Sequence, residues 1–63
     1  MHIDEIEARR IELHVGQTEL CREARIDPST YTKLRQNPER SPQPRTVRKL
    51  MAALDRFARG EAA

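Results

Sequence analysis

The chain has 63 residues, of which 37% are hydrophobic, 35% charged and 3% aromatic; that suffices for one small domain, 1–63, and leaves no room for a wide catalytic cleft with its supporting shell. No run free of charge is long enough for a membrane-spanning helix, and residues 1–5 lack the basic-then-apolar order of a secretory leader. The net charge of +2 conceals an asymmetry: residues 1–32 hold seven acids and four bases, a net −3, residues 33–59 hold eight bases and two acids, a net +6, and Glu61 closes the balance. A basic half on so small a chain points to a polyanionic partner, nucleic acid first, against the plainer reading of a solvated arginine-rich surface.

In chain order, the pattern predicts a helix over residues 4–14. Ile3, Ile6, Ile11 and Leu13 supply its apolar contacts, Asp4, Glu5 and Glu7 sit in the first turn where acids favour the helix dipole, and Gly16 ends it. A second helix is predicted over 18–25, with Leu20, Cys21 and Ala24 on one face. The third, over 28–36, has the strongest start: Asp27 suits the cap and Pro28 the first helical position, where no N–H is needed. Tyr31 and Leu34 share its inner face, and Pro38 stops it near Asn37. Residues 37–44 carry Pro38, Pro42 and Pro44, so they form a stiff loop. Over 45–59, Val47, Leu50, Met51, Leu54, Phe57 and Ala58 recur at helical spacing in the clearest amphipathic pattern of the chain, and Gly60 marks its end. No segment alternates as a strand does, so the fold class is all-α, with the second and third helices close enough for a helix-turn-helix.

Little in the chain suggests reaction chemistry. One cysteine, Cys21, excludes an intrachain disulfide and fits a reducing, cytoplasmic setting; its place on an apolar face reads as an inert core thiol. His2 and His14 are too isolated to hold a metal, no glycine-rich phosphate loop is present, and no nucleophile, base and acid are spaced to converge. No enzyme activity and no cofactor are expected.

Residues 17–36, from Gln17 and Glu19-Leu20-Cys21 through Ile26 to Tyr31 and Leu34, resemble the helix-turn-helix of the phage repressor and Cro, or lambda-repressor-like, family. Arg10-Ile11-Glu12-Leu13 is similar to the end of that family's first helix, and the stretch from Pro44 to Leu54 to its fourth. The resemblance implies a compact four-to-five-helix domain that binds double-stranded DNA and regulates transcription in a bacterial or phage-infected cell. It further implies a homodimer on a two-fold related operator, with helix 28–36 in the major groove. Three residues depart from the pattern. Arg25 stands where the family usually has Gly, at a left-handed position that costs another residue about 1 kcal/mol, so a differently shaped turn is expected. Pro28 replaces a base-reading glutamine. Arg35 replaces the acid that pairs with the arginine matched by Arg10, so the two arginines either diverge or both face phosphate.

Carried over residue by residue, the resemblance implies base contacts from Ser29, Thr32 and Lys33, where lysine can donate to guanine and hydroxyls can meet several bases. It implies phosphate contacts from Gln17, Arg10, Arg35, Gln36, Arg40 and Arg45. Each has a plainer alternative: a polar surface for the helix residues, solubility for the arginines, and for Arg10 a structural pair with Glu39 or another acid. Tyr31 reads as core with its hydroxyl at the rim. A second reading makes the same fold a protein-interaction module that does not bind DNA, through the acidic face of the first helix (Asp4, Glu5, Glu7, Glu12) or an exposed Phe57.

Overall fold

The computed structural model describes residues 2–37, 39 and 41–62. It contains α1 (Ile3–Glu12), α2 (Gln17–Ala24), α3 (Pro28–Gln36) and α4 (Pro44–Ala58), and no strand among the described residues. The fold class is therefore all-α, as expected, with each helix bound within two residues of its predicted limit.

The boundary differences have local causes. α1 starts early because His2 acts as its cap: Nδ1 accepts the Asp4 N–H at 3.1 Å. It stops before Gly16 because His14 turns left-handed, φ 58, and the N–H groups of His14 and Val15 close on the carbonyls of Ile11 (3.0 Å) and Arg10 (3.1 Å). Gly16 instead opens α2 in an extended conformation, with its N–H donated to Glu19 Oε1 at 3.0 Å. α2 ends as α1 does. Arg25 takes φ 58 and ψ 47, its N–H reaches Arg22 O at 3.2 Å, and the Ile26 N–H reaches Cys21 O at 2.9 Å. The turn thus keeps its left-handed shape without glycine, contrary to the reshaping expected for Arg25. α4 ends the same way at Gly60, φ 72, where Gly60 and Glu61 donate to Phe57 O (3.1 Å) and Arg56 O (2.8 Å).

α3 begins as its sequence dictates. Pro28 occupies the first turn, and Asp27 Oδ1 accepts the Ser29 N–H at 2.8 Å.

The core joins Ile3 and Ile6 of α1, Leu20, Cys21 and Ala24 of α2, Tyr31 of α3 and Leu50, Ala53 and Leu54 of α4, together with Val15. A fully buried Leu or Ile contributes about 1.5–3 kcal/mol relative to exposure, so these few side chains carry most of the fold. Leu13, Ile26, Leu34, Met51 and Phe57 close the rim, which makes Phe57 a packed residue and not an exposed one. Ile11 corrects the sequence reading in the other direction. It lies five residues past Ile6, roughly 140° round the helix, and is 60% exposed. Two ion pairs clamp the helices around α4: Arg9 with Asp55 from α1, and Arg56 with Glu23 (2.7 Å) from α2.

Candidate nucleic-acid interface

Burying Tyr31 and part of Leu34 leaves the opposite face of α3 in water. Ser29, Thr30, Thr32, Lys33 and Gln36 are all exposed there. The Ser29 hydroxyl donates to Asp27 Oδ1 at 2.7 Å and the Thr32 hydroxyl to Pro28 O at 3.1 Å. Their protons are therefore engaged within the helix, and what they offer outward is lone pairs. The two Ser29 bonds also hold the Asp27 carboxyl below its ordinary value. Lys33 pairs with no acid among the described residues, so its ammonium is available to a ligand.

Beside this face runs an open groove of about 280 Å³ between α3 and the entry to α4, lined by Thr30, Lys33, Leu34, Pro42, Gln43 and Thr46. Pro42 is buried, which anchors the loop against the helices and fixes the groove's far wall. Thr30, Gln43 and Thr46, none of them among the residues expected from the sequence, enter the site through this groove. No local pattern announces the groove, because Gln43 and Thr46 meet Thr30 of α3 only through folding.

The residues expected at phosphates separate into groups. Gln17 opens α2, where first-turn N–H groups lack intrahelical acceptors. Gln36 and Arg45 are exposed at the end of α3 and the start of α4, while Arg40 lies outside the described residues. Arg48 and Lys49, which the sequence reading did not single out, share with Arg45 an exposed position and no acid partner among the described residues.

Arg10 takes the structural alternative, and its acid is Glu7, not Glu39. Its Nε and Nη2 donate to the two Glu7 oxygens at 2.9 Å each, Nη1 donates to Val15 O at 2.8 Å, and its side chain is 13% exposed. Arg35 comes to the same carboxylate, Nε lying 3.5 Å from Glu7 Oε2. The two arginines thus neither diverge nor both face outward; a single α1 acid gathers them. The Tyr31 hydroxyl donates to Glu7 as well. The Arg10 bonds lower the Glu7 pKa against the cost of its burial. Burial, reinforced by the bond to Glu7, raises that of Tyr31 well above the usual range.

Cys21 is 1% exposed and burial pushes its thiol upward, the opposite of nucleophile activation. Among the described residues no three His, Cys, Asp or Glu side chains converge as metal ligands, and no helix is long and apolar enough to cross a membrane.

A helix-turn-helix family model matches residues 6–56, a span that holds α2, α3, the turn between them and the greater part of α1 and α4. No curated protein and no solved structure matches the chain. Four helices, a three-residue link between α2 and α3, and this match over most of the length agree with one another. The chain belongs to the phage repressor/Cro-type helix-turn-helix family, a family of DNA-binding transcription regulators.

Proposed function

We propose that this chain is a sequence-specific double-stranded-DNA-binding regulator of the repressor or Cro kind, with α3 as the helix that enters the major groove. The observation that carries the reading is the outer face of α3. Its helical residues are polar and none is acidic, and it is centred on Lys33, which pairs with no acid among the described residues, beside exposed cations at the start of α4. Lys33 suits guanine O6 and N7, while the outward lone pairs of Ser29 and Thr32 suit the amino groups of cytosine or adenine. Gln17 and Gln36 flank the helix and Arg45 stands beyond the loop, where they would meet phosphates.

One helix of nine residues reads only a few base pairs. Useful specificity therefore calls for a homodimer on a two-fold related operator, with half-sites about 34 Å apart. Such a protein acts where the DNA is, in the cytoplasm at the nucleoid, by blocking or recruiting polymerase. Selection from a random duplex pool tests this directly. A palindromic motif is expected, and a folded protein that enriches no motif at low salt would overturn the reading.

The protein-interaction reading keeps one supporting observation, the exposed Ile11 on an α1 face flanked by the exposed Asp4, Glu5 and Glu12. Recovery of one stable protein partner, with no affinity for duplex, would favour it.

A further inference from the structure

Glu7 gathers one more cation than its own neutralisation requires. Its side chain is 15% exposed, and Arg10 alone balances its charge through two bonds of 2.9 Å. The Tyr31 hydroxyl takes a third acceptor site. A carboxylate offers about four such sites, and Arg35 Nε comes to the last, 3.5 Å from Oε2. That separation is long for a hydrogen bond, yet close enough for the charge to orient the guanidinium. Arg35 is 42% exposed, and its two terminal nitrogens donate to nothing among the described residues. The guanidinium therefore turns its Nε toward Glu7 and leaves its outer fork without a partner among the described residues, two residues beyond Lys33 on α3.

We propose that Glu7 is a positioning residue for DNA recognition: it holds Arg35 so that the outer fork meets a backbone phosphate beside α3. The proposal rests on the DNA-binding reading above and adds to it a residue that does not itself touch DNA. Two physical points support it. A long arginine side chain already restrained loses less freedom when it binds. The Glu7 charge does not repel the phosphate, because Arg10 cancels it and the three groups together keep a charge of +1.

The test is a double-mutant cycle on duplex binding, with folding of each variant followed by circular dichroism. In the wild type, Arg35→Ala is expected to weaken binding about tenfold, the loss of one charge-assisted bond, and to lower the salt slope by about 0.9. Glu7→Asp keeps the charge but draws the carboxylate back by one methylene. In that background Arg35→Ala is expected to cost less than about threefold. An equal or larger loss overturns the proposal. Tyr31→Phe removes a bond to Glu7 while leaving the carboxylate at Arg35, so there the tenfold effect should persist; if it vanishes, looser packing explains the result and the proposal fails.

A readout without DNA separates the two layers. The Arg35 Nε should give a nitrogen-15 chemical shift in the wild type, displaced by the nearby carboxylate, that returns toward the free-arginine value in Glu7→Asp. That displaced shift in a protein that binds no duplex would reject the DNA-binding reading. Duplex binding with no coupling between Glu7 and Arg35 would reject the positioning role alone.

Discussion

The Tyr31 hydroxyl donates to the Glu7 carboxylate and so ties the inner face of α3 to α1 across 24 residues of sequence. This bond, with Arg10 on the same acid, sets how α3 sits on the rest of the molecule and hence which of its residues face outward. The arrangement leaves no buried side-chain polar atom unpartnered among the described residues.

Tyr31 is the chain's one tyrosine, so its ionisation can be followed by absorbance without ambiguity. Burial first, and then the bond to Glu7 and its charge, raise its pKa above the ordinary 10.0. A raised folded value means that the folded state keeps the proton longer than the unfolded one. Stability is therefore intact below pH about 10 and falls as the pH rises above it. Tyrosinate should appear together with loss of helix in an alkaline titration. Ionisation near pH 10 with the helix signal unchanged would contradict the buried pair.

Glu7 gives the opposite limb. Its folded pKa lies below 4.5, chiefly through the Arg10 bonds acting against burial. A depressed value contributes stability above the unfolded pKa, and that contribution is lost as the pH falls through the folded one. Glu7→Gln leaves Arg10 a half-partnered, largely buried cation and should cost about 2–4 kcal/mol at pH 7. The loss of stability as the pH falls below about 4.5 should be shallower in that variant than in the wild type. Denaturant titrations at several pH values give both quantities, and identical acid limbs would refute the assignment.

How far the sequence reveals this molecule follows from the range of each signal. Asp27-Pro28 fixes the start of α3 through contacts within three residues, and the Val47-to-Phe57 spacing fixes the buried stripe of α4, so both are legible. Glu7 reads as a first-turn acid because its partners Tyr31 and Arg35 lie 24 and 28 positions away and arrive only by folding. The groove shared by Thr30, Gln43 and Thr46 is hidden for the same reason. Gly16 reads as the stop of α1, since nothing in His14 marks it as the residue that turns left-handed.

Two of the three helix ends built on a left-handed residue lack glycine there, namely His14 and Arg25, both at φ 58. The left-handed region costs a side-chain-bearing residue about 1–2 kcal/mol, and glycine gives back part of that through its looser unfolded state. Arg25→Gly should therefore stabilise the protein by about 0.5–1 kcal/mol, or raise the melting temperature by about 4–8 °C per kcal/mol in a domain of this size. His14→Gly should act in the same direction and add to it, since the two turns share no partner. A lower melting temperature for Arg25→Gly would show that the arginine makes a compensating contact.

Lys33 and Arg45 should fail differently when truncated, and the contrast separates reading from clamping. Lys33 stands on the exposed face of α3, where a base edge would lie, and forms no ion pair among the described residues. Lys33→Ala should cost about 1–3 kcal/mol on the selected sequence and little on others, relaxing preference at one position of each half-site. Arg45 stands at the start of α4, beyond the loop, where only backbone is expected. Arg45→Ala should weaken binding evenly across sequences and reduce the salt slope by about 0.9. Affinities of both variants for the selected duplex and a scrambled one, at several salt concentrations, make the comparison. An even loss for Lys33→Ala would move that residue to the phosphates and leave base reading to Ser29, Thr32 and the groove residues, because one ammonium cannot supply sequence preference while contacting only the uniform backbone.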